Sequence, residues 1–303
     1  MLSDIAPDSY HEFRPSSWIL AEGEDAHEFL QSQFSNDISG LEEGESAYGL
    51  WLDQKGKVHG DSWILRTGDE SFYLFSYFSS AEMLIEKLEK FIVADDVELE
   101  DQSADVVGLS LFGKAINVCH EIVGSDAIDF KTHQIPGRRG QVEAIDVVMA
   151  KSDLQVFLKA LTGAGIVVSL NEDIIELQRI LSELPRIPDD IGPGELPQEG
   201  GLEKVGVSFT KGCYLGQEVM SRLHSMGQAR RSLRLIESQE SIPYESELTA
   251  GGKRIGKSKT STKYENRFVG LALISKAADV STSFEIEGAG VGRVINQVDP
   301  EDG

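Results

Sequence analysis

Apolar residues recur along this chain with two different periods, which separate predicted helices from predicted strands. Helical spacing, with one buried face, is found in three segments, Ala26–Phe34, Leu84–Phe91 and Leu154–Leu161. Short apolar runs typical of strands lie at 18–20, 48–52, 58–65, 72–75, 106–112 and 144–149, with a hairpin turn at 53–56. Because strands and helices alternate irregularly, the pattern predicts an α+β fold.

Polar residues at the ends of the helical segments predict where those helices begin. Ser79 with Glu82, and Ser152 with Gln155, have the spacing of a capping box. Asn171 is placed to cap a further helix, whose apolar face is Ile174, Leu177 and Leu181.

The last part of the chain has short strands separated by glycine turns. Strands are predicted at 232–236, 247–248, 253–258, 268–274, 283–286 and 292–298. Strands this short with glycine turns predict an antiparallel β-barrel of roughly seventy residues. We therefore divide the chain into an α+β region, 1–229, made of two interlocked subdomains, and a barrel domain, 230–303. The loop 185–201, rich in proline and glycine, is interpreted as an ordered wall and not as a tether.

The densest group of chemically special residues lies at 210–222, in the sequence TKGCYLGQEVMSR. An apolar run, 205–209, precedes it and is predicted to be a buried strand. A helix is predicted to follow, because Val219, Met220 and Leu223 recur at helical spacing. Cys213 would then lie on a glycine-flanked turn before the start of a helix.

Two interpretations of Cys213 follow from this setting. Its thiolate is favoured by the ammonium of Lys211 and by a helix N-terminus, as expected for a reactive or ligating cysteine. Alternatively, it is a small buried hydrophobe in a tight turn, which is common for free cysteines. The only other cysteine, Cys119, lies in an apolar segment and is predicted to be buried. One cysteine cannot supply the four ligands of a closed zinc site, so no metal site is predicted.

Charge and leader signals narrow the classes of function. The 303 residues include 51 acidic and 28 basic side chains, a formal net charge of −23, which disfavours non-specific binding to nucleic acid. Arginines 222, 230, 231 and 234 cluster after the motif, and we interpret them as a solvated surface. Neither a leader-like N-terminus nor a long apolar run is found, so a cytoplasmic protein without a membrane partner is expected. Nucleotide-binding glycine motifs are also absent from the sequence.

The segment Lys211–Glu218 resembles the K-G-C-Y-x-G-Q-E signature of the YgfZ family. That family comprises folate-binding proteins related in fold to the aminomethyltransferase (T-protein) of the glycine cleavage system. Residues 23–31 and 35–38 are similar to the opening of both groups. The resemblance implies a three-part body around a central folate pocket, ending in a barrel. It further implies tetrahydrofolate as the ligand and a role in maturing or repairing iron–sulfur enzymes.

The resemblance also assigns residues to the site. The implied role depends on Cys213, and the motif supplies Lys211, Gly212, Tyr214, Gly216, Gln217 and Glu218, with Arg222 beyond it. A cluster held by Cys213 would need further ligands from a partner chain or a small molecule, so a shared iron–sulfur cluster, with assembly or client proteins as partners, is the expected form. For the folate pocket, Asn36 and Tyr48 are predicted to line the wall.

One departure concerns catalysis. In T-proteins an aspartate pairs with folate during aminomethyl transfer, and the segment taken as its counterpart, 80–88, offers only Glu82 and Glu86. A longer carboxylate would be displaced from a catalytic position, so glycine cleavage is not expected. A folate-binding accessory protein and a folate-dependent aminomethyltransferase or one-carbon transfer enzyme both remain open.

Overall fold

Two five-stranded sheets and a closed barrel make up the protein in a computed structural model, which describes residues 8–124 and 132–295. The strands are β1 (Ser9–Phe13), β2 (Ser17–Glu22), β3 (Ser46–Leu52), β4 (Val58–Arg66), β5 (Ser71–Ser76), β6 (Glu98–Asp101), β7 (Val106–Phe112), β8 (Thr132–Pro136), β9 (Ala144–Ala150), β10 (Val168–Ser169), β11 (Arg231–Ser238), β12 (Glu247–Ala250), β13 (Lys253–Tyr264), β14 (Arg267–Ser275), β15 (Phe284–Ile286) and β16 (Gly290–Val294). The helices are α1 (Ala26–Gln33), α2 (Ala81–Glu89), α3 (Lys114–Val123), α4 (Leu154–Gly163), α5 (Glu172–Leu181), α6 (Glu203–Gly206) and α7 (Gln217–Met226), with a 3₁₀ turn at Pro197–Glu199.

The first sheet has the strand order β3-β4-β5-β2-β6, and its paired strands are antiparallel. Helices α1 and α2 bury their apolar faces with one side of this sheet, around Phe34, Trp51 and Phe72. The hairpin predicted around residues 53–56 is present, joining β3 to β4. These elements follow the sequence pattern closely because each helix and strand has one continuous apolar face.

The second sheet has the order β10-β1-β7-β9-β8, and α3 and α4 pack in one core with it, around Leu109, Val147 and Phe157. Several of its elements, namely β1, β8, β10 and α3, were not predicted from the sequence. Strands such as β1 (SYHEF) and β8 (THQIP) have little apolar periodicity, and β8 carries a proline, which is tolerated at a sheet edge. Their pairing with neighbours, and not their own pattern, makes them strands.

The C-terminal barrel is confirmed. Its strands close in the order β11-β14-β13-β12-β15-β16, and β11 also pairs with β16. The longest strand, β13, extends to Tyr264, beyond the predicted end at 258, across a register shift between Ser258 and Ser261. The last predicted strand, 292–298, is present as Gly290–Val294, and its residues 296–298 lie outside the described residues. The division of the chain at 229/230 stays a prediction.

The loop 185–201 is bound on both sides by hydrogen bonds. Its Asp190 is fully buried and accepts hydrogen bonds from Arg179 on α5 (2.8 Å) and from the Thr260 hydroxyl on β13 (2.7 Å). Glu199 pairs with Arg231 at 2.8 Å, and the Val58 amide donates to the Glu195 carbonyl at 3.0 Å. The loop therefore joins the first sheet, α5 and the barrel, as expected of a wall.

Two predicted helix caps are wrong. Helix α2 is capped by Ser80, whose hydroxyl accepts from the Met83 amide. Helix α4 follows Asp153, which makes no side-chain cap bond. Both errors are a matter of one residue, since neighbouring polar residues compete for the same free amides. Asn171 does cap α5, accepting from the Ile174 amide at 3.0 Å.

Candidate functional site

The motif lies on a loop between two helices, and the strand predicted before it is wrong. Residues 203–206 form the single turn α6, and the side chain of Val205 is 53% exposed. The short apolar run is therefore not buried, and only Val207 and the partly buried Phe209 pack into the core. The predicted helix after the motif is present as α7, which begins at Gln217.

Lys211 is the buried anchor of the motif. Its ammonium group donates hydrogen bonds to three backbone carbonyls, those of Gln31 (2.7 Å), Phe34 (2.9 Å) and Asn36 (2.7 Å). These carbonyls lie at the C-terminal end of α1, where helix carbonyls lack partners within the helix. Burial lowers the pKa of the Lys211 ammonium to about 8, an effect opposed by the charge of Asp37.

Cys213 is exposed, whereas Cys119 is fully buried. The expected help from Lys211 is not what the structure shows, because all three donors of that ammonium point at the carbonyls of the α1 end. Helix α7 begins only at Gln217, four positions after the cysteine. Cys213 is thus available to a partner on the surface, and Lys211 holds the loop that presents it.

The remaining motif residues divide into a buried and an exposed set. Tyr214 packs into the core, and burial raises the pKa of its hydroxyl, which has no hydrogen-bond partner, to about 12. Glu218 and Arg222 form an exposed ion pair of 2.9 Å on the surface of α7. Gln217 is half-buried, and its backbone amide donates to the Tyr214 carbonyl at 3.1 Å.

The two motif glycines have different reasons to be glycine. Gly216 has φ +87°, and a Cβ there would lie 2.7 Å from the carbonyl oxygen of Asp53 in the β3–β4 turn. In that turn, a Cβ on Gly56 would lie 2.7 Å from the Met220 side chain of α7. The backbones of the turn and of the α7 start therefore touch directly. Gly212, by contrast, has open space around it.

A small cavity of about 20 Å³ lies beside the first sheet, and we call it the central cavity. Its walls come from β3, β4, the end of β5, the β8–β9 loop and the start of the 185–201 loop. They include Tyr48, Asp61, Trp63, Phe75, Ser76, Tyr77, Phe78, Arg138, Arg179 and Pro185. None of the described residues lining it belongs to the motif that contains Cys213.

Asp61 is the carboxylate of the central cavity. One of its oxygens accepts hydrogen bonds from the hydroxyls of Ser76 and Ser79, each at 2.8 Å, and the other accepts from Tyr48 at 3.0 Å. Burial raises the pKa of Asp61, although these hydrogen bonds and the charge of Arg138 oppose the rise. A carboxyl held in this way can keep or release a proton at a fixed position beside the cavity.

Tyr48 and Asn36, both predicted to line a folate pocket, take different places. Tyr48 lines the cavity, and the guanidinium carbon of Arg138 lies 4.2 Å from its ring centre. Asn36 is not among the described residues lining the cavity. Its amide donates to the Tyr48 carbonyl at 2.8 Å and to the Val205 carbonyl at 3.4 Å, so it positions the strand that carries Tyr48.

Two polar atoms on the wall of the central cavity are buried and lack a hydrogen-bond partner. They are Trp63 Nε1 and Arg138 Nη1. Buried polar groups in proteins are nearly always hydrogen-bonded, and each exception calls for an explanation such as a bound ligand. Both atoms are hydrogen-bond donors.

Asp61 was not predicted from the sequence, because the carboxylate was expected on the helix at 80–88. Asp61 lies instead on β4, between Gly60 and Ser62, and all three are buried. A charged residue inside an otherwise buried strand was the available signal, since Asp is almost never fully buried without partners. The absence of glycine cleavage stays a prediction, although the reason given for it no longer holds, because a buried aspartate lines the cavity.

Two further observations concern metals and membranes. In the described part of the chain, no three His, Cys, Asp or Glu side chains are grouped so that they could hold a metal ion. None of the helices within the described ranges has both the length and the apolar composition needed to span a membrane.

Comparison with known proteins shows which proteins this chain resembles. Residues 15–152 match the family described as the GCVT N-terminal domain. The "tRNA-modifying protein YgfZ" of Vibrio atlanticus (strain LGP32) is 28% identical over 229 residues, covering 75% of this chain and 69% of that protein. The "tRNA-modifying protein YgfZ" of Aliivibrio fischeri (strain MJ11) is 25% identical over 284 residues, covering 90% and 87%.

A solved structure agrees in fold. The glycine cleavage system aminomethyltransferase T from Bartonella henselae superposes with a TM-score of 0.79, at 18% identity, over 97% of this chain and 87% of that one. The sequence relatives and this fold lead to one assignment. The chain resembles the YgfZ proteins in sequence and has the fold of the glycine cleavage aminomethyltransferase.

Proposed function

We propose that this protein binds a reduced folate in the central cavity and assists the assembly or repair of iron–sulfur enzymes through Cys213. The observation that carries the folate part is the set of unpartnered polar atoms beside Asp61. The pterin ring of a folate is flat and has hydrogen-bond donors and acceptors along its edge. Aromatic walls, a carboxylate and unpaired donors are the groups that would recognise such a ring.

The residues fit this ligand in chemistry but leave it little room as they stand. A volume of about 20 Å³ accommodates roughly one water molecule. Binding therefore requires Arg138 to leave the face of Tyr48, which frees one aromatic surface and the Arg138 donors together. When bound, a reduced folate would supply a carrier of one-carbon groups. Asp61 would then hold or release a proton at the oxygen that faces Tyr48.

Cys213 supports the iron–sulfur part of the proposal. It is an exposed thiol on a loop that Lys211 fixes to the end of α1. One thiolate cannot hold a cluster alone, so the other ligands would come from a client or assembly protein, with the cluster as the transferred cargo. A cytoplasmic location, where thiols remain reduced, is part of this proposal.

The names of the relatives fit an indirect role. They are called tRNA-modifying proteins, but a formal net charge of −23 opposes direct binding to RNA. We therefore place this chain upstream of the modification, as the protein that maintains an iron–sulfur enzyme acting on tRNA. This arrangement needs protein contact only.

A second candidate is a folate-dependent one-carbon or aminomethyl transfer enzyme. The buried Asp61, which faces the cavity and has a raised pKa, is the observation that favours it. The two candidates differ in the residue they require, since transfer depends on Asp61 and the accessory role depends on Cys213.

Two experiments test the proposal. Anaerobic calorimetry with tetrahydrofolate should show saturable binding to the purified protein, and absence of heat would refute the proposed folate binding.

In a bacterial strain lacking its own YgfZ, this chain should restore iron–sulfur enzyme activity and tRNA modification. Cys213→Ser should fail to restore them, whereas Cys119→Ala, which removes the other thiol, should succeed. Full rescue by Cys213→Ser, with loss of rescue in Asp61→Asn, would favour the transfer enzyme.

A further inference from the structure

A cleft of about 490 Å³ lies between the β3–β4 turn, helix α2 and the motif loop, and we call it the motif cleft. The motif contributes Leu215 to its lining, and Cys213 precedes Leu215 by two residues. Two residues of chain span at most about 7 Å, so the backbone of Cys213 lies close to this cleft. None of the described residues that line it also lines the central cavity. The exposed thiol therefore has a binding space beside it that is separate from the proposed folate site.

One wall of the motif cleft is a face of α2 and its C-cap. The lining residues there are Met83, Glu86, Lys87 and Lys90. Their spacing of three, four and seven positions places them on one face, whereas the opposite face is buried in the core of the first sheet. At the helical rise per residue, this wall is about 10 Å long. About three residues of extended chain have the same length, so the wall suits a segment of polypeptide.

The charges of the motif cleft have a positive balance. Lys55, Lys87 and Lys90 line it against Asp53 and Glu86, although the whole chain has a formal net charge of −23. Both carboxylates already have partners within the protein. Asp53 accepts from the backbone amide of Lys55 at 2.7 Å, and Glu86 pairs with Lys90 at 3.0 Å. The cleft is thus a local cationic surface on an acidic protein.

Two of the ammonium groups are available to an incoming anion. Lys55 is exposed, and within the described residues its ammonium makes no hydrogen bond or ion pair. The Lys87 ammonium donates to the Leu52 carbonyl at 2.7 Å, and burial lowers its pKa, so a carboxylate placed beside it would favour the charged form.

Apolar side chains also line the motif cleft. Met83, Phe91 and Leu215 are each partly buried, and the Lys87 ammonium lies 5.9 Å from the ring centre of Phe91. A segment that combines carboxylates with an apolar side chain would match both the charge and the apolar surface of this lining.

We propose that the motif cleft is the docking surface for an acidic segment of the protein that shares Cys213, with Lys55, Lys87 and Lys90 binding its carboxylates. This inference rests on the proposed accessory function and adds where, and by what chemistry, the partner is recognised. The β3–β4 turn touches the motif backbone at Gly216, so a partner bound on the turn is also positioned relative to Cys213.

The first test measures the charge beside the thiol with two disulfide reagents, Ellman's reagent, which is a dianion, and dithiodipyridine, which is neutral. Cys119 is buried, so the reaction reports on Cys213. The variants are Lys55→Glu and Lys90→Glu, with the exposed Lys159→Glu on α4 as the matched control, because all three change the net charge equally. Relative to that control, both cleft variants should react with Ellman's reagent about threefold more slowly, with the dithiodipyridine rate unchanged.

The second test is rescue of a bacterial strain lacking its own YgfZ. Lys55→Glu and Lys90→Glu should each lose restored iron–sulfur enzyme activity, whereas Lys159→Glu should keep it. Both cleft variants should bind tetrahydrofolate like wild type, because they do not alter the lining of the central cavity. Protection of Cys213 from dithiodipyridine by free citrate would make a small carboxylate the occupant and overturn the assignment to a protein segment.

The outcomes separate the two proposals. Full rescue by both cleft variants, with or without a slower Ellman reaction, would overturn the docking surface, and the accessory function would stand if Cys213→Ser still fails to rescue. Full rescue by Cys213→Ser would overturn the accessory function and the docking surface with it. If urea unfolding shows that a glutamate variant does not fold, Lys55→Gln and Lys90→Gln replace it, with Lys159→Gln as their control. Rescue and Ellman rates equal to that control would again overturn the assignment.

Discussion

The ammonium nitrogen of Lys211 lies 2.7 Å from the backbone carbonyl oxygen of Asn36, 175 positions earlier in the chain. With the carbonyls of Gln31 and Phe34, this contact gives all three hydrogens of the ammonium an acceptor. The α1 end and the Cys213 loop are therefore fixed to each other by one side chain. The Asn36 amide in turn binds the carbonyl of Tyr48, which lines the central cavity. The segment around Asn36 therefore holds both the motif loop and the strand that lines the central cavity, although the motif itself does not line that cavity.

Replacing Lys211 by methionine should destabilise the protein by about 2 kcal/mol, because three carbonyls lose their donor while the cost of burying a charge is relieved. Urea unfolding at neutral pH measures the change. The exposed Lys204→Met is the matched control and should shift the free energy of unfolding by less than about 0.5 kcal/mol. Equal effects of the two variants would show that the Lys211 contacts do not stabilise the fold.

The fold could be predicted from the sequence wherever an element had its own apolar face. Helices α1 and α2, the β3–β4 hairpin and the barrel belong to this class. Elements such as β1 and β10 could not be predicted, because they become strands only through each other and through β7. Pairing between residues 9 and 168 is a property of the tertiary structure and leaves no local pattern.

The candidate site divides in the same way. The sequence selected Cys213 and Tyr48 as candidates, because a dense motif and a family resemblance marked them. It missed Asp61 and Arg138, since each depends on contacts between distant segments. Lys211 was also predicted to favour the Cys213 thiolate, because the two residues are close in the chain. In the structure its ammonium donates instead to the backbone carbonyl of Gln31 in α1.

Substitution by serine should change the free energy of unfolding at Cys119 but not at Cys213. Cys213→Ser should leave the free energy of unfolding nearly unchanged because the residue is exposed. Cys119→Ser should lose about 2 kcal/mol, because its hydroxyl would be buried without a partner. Alkylation of the native protein, followed by mass spectrometry, should label Cys213 alone, since burial raises the pKa of Cys119 to about 12. Labelling of Cys119 at a comparable rate would contradict this assignment.

Tyr48→Phe should weaken tetrahydrofolate binding about tenfold, because Asp61 loses a hydroxyl donor beside the proposed ring site. Anaerobic calorimetry provides the measurement. Tyr73→Phe is the control, since the Tyr73 hydroxyl donates to Gln102, and neither residue lines the central cavity. If both variants bind tetrahydrofolate like wild type, the ring does not lie beside Tyr48.

Acid should weaken the network that fixes the 185–201 loop. Burial alone would raise the pKa of Glu176, but its hydrogen bonds with Arg179 and the charges of Arg179 and Arg186 bring that pKa below the usual value. The folded state therefore binds fewer protons at Glu176 than the unfolded state does, and its stabilising contribution is present above about pH 4.5 and lost as the pH falls further.

Glu176→Gln should accordingly cost roughly 2 kcal/mol at pH 7, with the deficit shrinking below about pH 4.5. Urea midpoints across this range provide the readout, with the exposed Glu121→Gln as the control. A deficit that stays constant with pH would show that Glu176 acts through packing and not through its charge.

The motif glycines provide the sharpest structural test, because Gly216 and Gly212 should tolerate alanine very differently. At Gly216 the backbone has φ +87°, and a Cβ would lie 2.7 Å from a backbone oxygen of the β3–β4 turn, so neither the residue nor its neighbour can yield cheaply. Gly216→Ala should therefore cost about 2 kcal/mol or more in free energy of unfolding. A Cβ on Gly212 would have no atom within 4 Å, so Gly212→Ala should change that free energy by less than about 0.5 kcal/mol.

Urea unfolding measures the stability of both variants, and their ability to rescue the deletion strain is measured in parallel. If Gly212→Ala is stable but fails to rescue, the open space beside Cys213 is needed by a partner, whereas full rescue by a stable Gly212→Ala would mean that the partner does not approach Cys213 from that side.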